Sequence, residues 1–280
     1  MTGVQTCALP ICTAGWFPTH GKQTACYLVE AVGCRLLLDA GTGLARLTEA
    51  LSASARDGAP QSSESSTALP AASRLHIFLS HYHLDHVVGL TYLPALAPGT
   101  IVHLYGPSRR MTGIGLDEAM QRLFSTPLFS TSMEQLPFTL TLHELEEGVH
   151  HIDGLPWPVA VEGQSHPGGS VRYRLGDELA YISDAAAEAR REVAFTAGVR
   201  VLLREAWGER EAHPPEIWQS HADVDTVASI AREADVGALY LIHLHPLLDG
   251  PGALRLMHRG RRIFPRTFLA EDLRVIQVEP

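Results

Sequence analysis

Residues 74–86 read RLHIFLSHYHLDH, a short apolar run followed by a cluster of polar side chains. The run Leu75–Leu79 is long enough for one buried strand. Four side chains with nitrogen or oxygen donors then occupy six positions: His81, His83, Asp85 and His86. In open α/β sheets, ligands bind at the carboxyl ends of the strands. The stretch therefore predicts a strand that ends at a functional site.

The spacing of the four donors favours two metal ions. Alternate side chains of an extended segment lie on one face, so His81 and His83 can bind one ion together. Asp85 and His86 follow on the turning backbone and can reach a second ion. A polar loop with accidental histidines is the alternative, but the strand before the motif favours a site.

Three later segments each place a donor just beyond a predicted strand: His166 in SHPGGSVRYRL, Asp184 in YISDA and His243 in LYLIHLHP. Singly, each is a weak signal, because a lone histidine at a strand end is more often a surface or core residue. Jointly they supply the donors that two ions still need. A set of nitrogen and oxygen donors without cysteine suits zinc, manganese or iron, and we predict two divalent ions, with zinc as the metal.

Strands and helices are interspersed along the rest of the chain. Further strands are predicted at 24–30, 35–39, 101–105, 138–142, 159–162, 171–175, 179–182, 201–203 and 239–242, and helices at 44–54, 115–124, 185–195 and 222–234. Such an order suggests two packed sheets with helices on the outside.

The order of the predicted metal ligands along the chain resembles that of a known family. The order HxHxDH, then His, Asp and His, over residues 24–248, resembles the metallo-β-lactamase superfamily, whose members have an α/β fold: an αββα sandwich of two mixed sheets flanked by helices. The resemblance implies that one metal is bound by His81, His83 and His166, and the other by Asp85, His86 and His243. It implies that Asp184 bridges the two ions.

Asp39 in LLLDAGTG matches an early strand-end aspartate of this family, which supports the site from behind the ligands. A helix cap is the alternative interpretation of the same residue.

Two features point to the phosphodiesterase branch of the family. His221, at the start of a predicted helix, resembles the extra histidine of ribonuclease Z and related phosphodiesterases, and Glu205 in LLREAW matches its acidic partner. In the family this histidine contacts the phosphate and protonates the leaving oxygen, a role that suits an imidazolium held by a carboxylate. The alternatives are a neighbour of a helix cap at Ser220 or Asp223 for His221, and a solvated carboxylate for Glu205.

The second feature is HPGGSVRYR, which resembles the cyclic-phosphate phosphodiesterases. Gly168 and Gly169 would let backbone amides approach an anion, and Ser170 and Tyr173 offer donors. His245 lies two residues beyond His243 and is predicted to line the pocket from the same side of a strand. The arginines of this segment have a solvated strand face as their ordinary interpretation.

The predicted function is hydrolysis of a small phosphodiester, cyclic or linear, by a metal-bridging hydroxide, with Asp85, His221 and Glu205 as catalytic residues. Ribonuclease Z proper is disfavoured, because its long arm usually interrupts the chain where only residues 167–183 lie here. Hydrolysis of a lactone, thioester or β-lactam is the alternative activity, and a metal- or ligand-binding protein without catalysis is a third hypothesis.

Charge and cysteine content limit the possible partners and the cellular compartment of the protein. The chain has 22 basic and 31 acidic residues and a net charge of -9, the wrong sign for steering toward nucleic acid. No apolar run approaches the roughly 20 residues that cross a bilayer. Cys26 and Cys34 lie on a predicted hairpin at positions that should not bridge, which favours a reducing cytoplasm. Relatives are often dimers, so the resemblance implies a homodimer.

The first eleven residues are typical neither of a signal peptide nor of an amphipathic element. They resemble translated sequencing adapter, which would point to a gene assembled from metagenomic reads. We therefore predict an artefactual or disordered leader over residues 1–11 and a single domain over 12–280. Within that domain, a flexible loop near 57–73 is rich in Ser, Ala and Pro.

Overall fold

The computed structural model describes residues 6–19, 21–31, 33–56, 73–96 and 98–278. The strands are β1 (Thr6–Cys12), β2 (Cys26–Ala31), β3 (Cys34–Leu38), β4 (Arg74–Phe78), β5 (Ile101–Pro107), β6 (Thr139–Leu145), β7 (Gly148–His150), β8 (Val159–Gln164), β9 (Ser170–Leu175), β10 (Leu179–Ile182), β11 (Val201–Glu205), β12 (Ala238–Ile242), β13 (Thr267–Leu269) and β14 (Ile276–Val278). The α-helices are α1 (Leu47–Arg56), α2 (Leu84–Val87), α3 (Leu93–Leu96), α4 (Arg109–Thr112), α5 (Leu116–Leu123), α6 (Ala189–Thr196), α7 (Val224–Glu233) and α8 (Gly250–Arg261).

The strands form two mixed sheets. One sheet has the order β14-β1-β2-β3-β4-β5-β6 and the other β13-β12-β11-β10-β9-β8-β7. The faces of the two sheets enclose a core of aromatic and branched side chains, and helices cover the outer face of each sheet with a further apolar layer. This architecture confirms the predicted αββα sandwich.

Because side chains alternate along a strand, the short strand β4 contributes residues to two apolar layers. On β4, Leu75 and Ile77 pack under the outer helices, whereas Phe78 belongs to the core between the sheets. Successive side chains of a strand point to opposite faces, so a strand buried on both faces is a continuous apolar run rather than an alternating one.

Residues 6–12 are an ordered strand in the described chain. The backbone of β1 pairs with β2 on one side and β14 on the other, and Leu9 and Ile11 are fully buried. A strand that is hydrogen-bonded on both sides and carries buried apolar side chains is integral to its sheet. The disordered alternative for the predicted leader therefore does not hold for residues 6–11, and the artefactual origin of the segment stays a prediction.

Other sequence predictions have mixed outcomes. The β2–β3 hairpin is present, and Cys26 and Cys34 are free thiols. Strands β1, β7, β13 and β14 and helix α8 were not predicted. The predicted loop near 57–73 lies almost wholly outside the described residues. Among the helices described, none is both long and apolar enough to cross a membrane.

The direction of the strands gathers the functional segments. Strands β3, β4 and β5 run parallel in the first sheet, and β10, β11 and β12 run parallel in the second. Parallel strands end at the same edge of a sheet. The segments that follow β4, β10, β11 and β12 therefore meet at one edge of the sandwich.

Candidate metal centre

The HxHxDH segment leaves β4 in an extended conformation and then turns into a single helical turn. His83 is the residue before the short helix α2, and the amide of His86 donates to the His83 carbonyl at 3.0 Å. The backbone of Gly41 lies against this turn so closely that a Cβ atom there would be 2.2 Å from the Asp85 carbonyl oxygen. The turn is thus held by backbone packing that only glycine permits.

Four side chains form the first candidate ligand set: His81, His83, His166 and Asp184. His166 Nε2 lies 3.2 Å from His83 Nδ1, and His81 Nε2 lies 3.6 Å from Asp184 Oδ2. The other ring nitrogen of His166 donates to the Ser220 carbonyl at 3.2 Å, which leaves Nε2 free to face the cluster.

Four side chains form the second set: Asp85, His86, Asp184 and His243. His86 Nε2 is 3.3 Å from Asp85 Oδ2, 3.5 Å from Asp184 Oδ2 and 3.3 Å from His243 Nε2. The structure thus brings together all seven ligands that the sequence predicts, in the two groups that the resemblance implies.

Asp184 is common to both sets and lies between them. It follows β10 in a left-handed backbone conformation (φ 39°) and is 4% exposed. Burial by itself raises the pKa of this carboxyl group, but the imidazoles of His243 and His86 hold the pKa well below its usual range. The carboxylate is therefore available as an anionic ligand for two ions.

The donors fit divalent metal ions. Bonds of 2.0–2.2 Å around a tetrahedral ion place neighbouring ligand atoms about 3.3–3.6 Å apart, close to most of the separations above. His81 Nε2 is buried without a hydrogen-bond partner among the described residues, a costly state unless an ion binds it. Burial and the neighbouring imidazole of His86 hold the pKa of His81 well below its usual range, which favours the neutral, ligating form. Imidazole and carboxylate donors suit zinc, manganese and iron alike.

Asp39 is buried next to the candidate ligands and accepts several hydrogen bonds. Its carboxylate accepts hydrogen bonds from the Ser80 amide (2.7 Å), the Ser80 hydroxyl (2.8 Å), the Tyr181 hydroxyl (2.5 Å) and His86 Nδ1 (2.7 Å). It caps no helix, since the next helical turn begins after Gly41 without a side-chain cap. The hydrogen bond to Nδ1 fixes the ring of His86 so that Nε2 faces the candidate metal site. Of the two interpretations of Asp39, support of the site therefore fits the structure and a helix cap does not.

A histidine–glutamate pair adjoins the second set. His221 Nδ1 lies 2.5 Å from Glu205 Oε1, and both residues form a donor group with Asp184 and His243. The cap of α7 is Asp223, whose side chain accepts from the Thr226 amide, so His221 has no capping role.

Glu205 is fully buried at the end of β11, so it is not a solvated carboxylate. Its second oxygen accepts from the Ala185 amide at 2.9 Å and lies 3.6 Å from the guanidinium of Arg204. Arg204 is itself held by Glu192. The carboxylate that orients His221 is thus fixed by its own network.

The HPGGSVRYR predictions are largely contradicted. The Gly169 amide donates to the His166 carbonyl at 2.9 Å within the turn, so it cannot bind an anion. Ser170 is buried, and its hydroxyl accepts from Gln164. Tyr173 is fully buried between the sheets and donates to the Leu79 carbonyl at 2.6 Å. Gly168 alone faces the site, where a Cβ atom would be 3.8 Å from His83 Nε2.

The physical reason is that β9 lies inside its sheet with both faces covered. Arg172 illustrates the same point, because it is fully buried and paired with Glu162 and Glu188 rather than solvated. The sequence predicted the strand at 171–175 but not that both of its faces are buried.

His245 lies beyond the end of β12, so it does not share a strand face with His243. Its ring packs edge-on against Trp207 with centroids 5.0 Å apart. Trp207 in turn stacks on His221, with centroids 4.1 Å apart and planes 14° from parallel. His245 is therefore separated from His221 by one indole ring.

Sequence reasoning missed Trp207 and Tyr181. Trp207 is the second residue after Glu205, and Tyr181 precedes Asp184 on β10. The sequence could have indicated both residues, because each lies two or three positions from a proposed functional carboxylate. Nothing in the sequence says, however, that these rings turn toward the site.

Comparisons with known proteins agree with this geometry. Residues 21–194 match the model of the Metallo-beta-lactamase superfamily. A ribonuclease Z from Methanopyrus kandleri is 25% identical over 295 residues, which cover 95% of each chain. Among solved structures, the metallo-beta-lactamase fold protein YhfI from Bacillus subtilis superposes with a TM-score of 0.74, at 19% identity over 98% of this chain and 100% of that one. A diphosphatase from the PhnP family superposes with a TM-score of 0.67, at 17% identity over 98% and 97%.

Proposed function

We propose that this chain, which belongs to the metallo-beta-lactamase superfamily, is a dinuclear metal-dependent hydrolase that cleaves a small phosphodiester with His221 as the general acid. The observation that carries the proposal is the His221–Glu205 pair beside the second ligand set. Hydrolysis of a phosphodiester releases an alkoxide, which needs a proton, and an imidazole held by a carboxylate beside the candidate metal ligands can supply one.

The geometry supports a division of the candidate ligands between two ions. His81, His83 and His166 would hold one ion and Asp85, His86 and His243 the other, with Asp184 between them. When bound there, two ions would supply Lewis acidity toward a water molecule and a phosphoryl group. We propose zinc for both positions.

The protein side chains supply the proton. Glu205 accepts the Nδ1 hydrogen of His221, which leaves Nε2 as the atom that faces the substrate and donates to the leaving oxygen. The stacked Trp207 fixes the plane of the imidazole, and the Ala185 amide and Arg204 fix the carboxylate. The acid is therefore preorganised before the substrate binds.

RNA is a second candidate substrate. The relative from Methanopyrus kandleri is named a ribonuclease Z and aligns over 95% of this chain. That name conflicts with the sequence-based prediction that nucleic acid is an unlikely partner. The net charge of -9 still opposes long-range attraction of a polyanion, so a small phosphodiester is preferred.

The test varies the leaving group. Metal-loaded wild type and His221→Ala are assayed on two methyl phosphodiesters, one with a p-nitrophenol leaving group and one with a more basic phenol leaving group. Loss of a general acid typically costs 10²–10⁴-fold, and the loss should be larger for the more basic leaving group. His258→Ala, an exposed histidine on α8, is the matched control and should behave as wild type.

Nitrocefin, a simple lactone and a single-stranded RNA are assayed in parallel. Turnover of nitrocefin or the lactone alone, with His221→Ala unaffected, would overturn the phosphodiesterase proposal in favour of carbon-centred hydrolysis. Cleavage of the RNA with no turnover of small diesters would select the second candidate.

A further inference from the structure

A pair of aromatic residues, the exposed Trp16 and the half-buried Phe17, lies on the loop between β1 and β2. Trp16 is 63% exposed, and its ring meets that of Phe17 edge-on with centroids 5.2 Å apart. A large apolar side chain this exposed forfeits the stability that its burial would bring. Among the exposed large hydrophobic side chains of the described residues, Trp16 is the one aromatic residue.

The loop is anchored on the metal centre itself. A Cβ atom at Gly15 would lie 2.6 Å from His243 Nδ1 and 2.8 Å from Trp207, so the backbone there packs directly on both rings. The Gly15 amide also donates to the Leu244 carbonyl at 3.2 Å. Since consecutive Cα atoms are 3.8 Å apart, the Trp16 Cα lies within about 8 Å of the His243 imidazole.

The backbone of Trp16 is strained. It has φ 60°, a left-handed conformation that bulky side chains rarely adopt. The other non-glycine residues with positive φ in the described chain are Asp39, Asp184, Asp235, His243 and Leu273. Three of these five belong to the metal centre or its support. Such strain clusters at functional sites, and at Trp16 no burial of the indole compensates for it.

A second exposed apolar side chain lies within the metal motif. Leu84 is 64% exposed although it stands between His83 and Asp85, one from each ligand set. Trp16 and Leu84 thus present apolar surface on two segments that carry or contact ligands.

We infer that Trp16 stacks on a planar ring of the substrate, either an aryl group or a nucleobase, attached to the phosphoryl group held at the metals. The inference rests on the proposed function and deepens it. A flat indole offers a stacking face to any aromatic ring and forms no ion pair with the phosphate. The ring binds outside the reacting centre, so Trp16 determines specificity and is not a catalytic residue.

Kinetics separate this role from a structural one. Three substrates share a p-nitrophenol leaving group and carry a methyl, a phenyl or a thymidine 5′-yl group on the other ester oxygen. Trp16→Ala should raise KM about tenfold or more for the phenyl or thymidine substrate, as expected for loss of one stacked ring. It should leave kcat and the methyl substrate nearly unchanged, and Trp16→Phe should restore most of the affinity.

Binding provides a readout that does not depend on turnover. Calorimetry with phenyl phosphate and thymidine 5′-monophosphate should show weaker binding to Trp16→Ala than to wild type, and the tighter ligand identifies the ring as aryl or nucleobase. Leu254→Ala, an exposed leucine on α8, is the control and should bind as wild type.

Different results would contradict the stacking role of Trp16 and the proposed phosphodiesterase function. Equal losses in kcat on all three substrates, or unchanged binding of both ring ligands, would make Trp16 a loop anchor and overturn the inference. If no phosphodiester is turned over but ring ligands still bind through Trp16, the proposed function falls and the ring site stands.

Discussion

At the residue scale, the candidate metal centre is supported by one buried carboxylate that belongs to neither candidate ligand set. Asp39 is fully buried and accepts four hydrogen bonds, from Ser80, His86 and Tyr181. Two chain segments far apart in sequence, residues 80–86 and strand β10, are therefore tied to one side chain. Removing a buried acceptor leaves its donors unpaired, which costs more than the bond itself contributes.

We expect Asp39→Asn to weaken metal binding about 10–100-fold, the usual effect of losing a group that orients a metal-bound histidine. The amide nitrogen cannot accept from His86 Nδ1, so the ring loses its fixed orientation. Metal affinity is measured by competition with a chromogenic chelator. Asn tolerates positive φ, so the substitution adds little backbone strain.

Asp235→Asn is the matched control, because Asp235 has φ 52° but is exposed and remote from the ligands. Unchanged metal affinity in Asp39→Asn would mean that packing alone orients His86.

At the element scale, β1 shows how strand pairing overrides composition. TCALPIC contains Pro10, a residue that is rare inside sheets, yet the segment pairs with both β2 and β14. Without β1, the edge of β2 would present unpaired amide and carbonyl groups.

Leu9→Ala should lower the free energy of unfolding by about 2–5 kcal/mol, the usual cost of truncating a fully buried leucine. The measurement is urea unfolding at saturating metal. Leu128→Ala, at a leucine that is 82% exposed, should change it by less than about 0.5 kcal/mol. Equal stability of both variants would show that residues 6–12 do not pack in solution as they do here.

At the scale of the whole molecule, three histidines span neighbouring strands of the first sheet. His76 on β4 stacks on His103 of β5, with centroids 5.2 Å apart, and His103 Nδ1 lies 3.2 Å from His143 Nε2 on β6. His76 is only 4% exposed and hydrogen-bonds to the Tyr105 hydroxyl. Burial, with a further contribution from His103, lowers the pKa of His76 to about 4.

We expect this cluster to make the fold sensitive to acid. Between pH 6.5 and about 4 the unfolded chain binds a proton at His76 that the folded chain does not, so stability is present above pH 6.5 and is lost as the pH falls toward 4. Each such proton contributes a slope of up to about 1.4 kcal/mol per pH unit.

Urea unfolding at pH 7, 6 and 5 measures the slope. His76→Phe should make the slope shallower than in wild type, whereas His258→Ala, at an exposed histidine, should not. The metal ligands contribute equally to the slope of every variant. Identical slopes in wild type and His76→Phe would assign the acid sensitivity to other groups.

The sequence by itself determined the sandwich fold, the order of the seven candidate ligands and the His221–Glu205 pair. The fold and the order of the ligands follow from local facts, because an apolar run predicts a strand and polar residues just beyond parallel strands lie at one edge of a sheet. The pairing of His221 with Glu205 was implied only by the resemblance to ribonuclease Z and related phosphodiesterases. The positions of Asp85 and His86 within one turn of His83 needed no tertiary information.

Only the tertiary structure decided which way the side chains near those strands face. Tyr173 and Ser170 turn into the protein, Trp207 turns under His221, and residues 6–12 become part of a sheet. The burial of each depends on a partner that is distant in sequence. Local spacing therefore predicts where a strand ends, but the face that its neighbours cover is set by the packing of the two sheets.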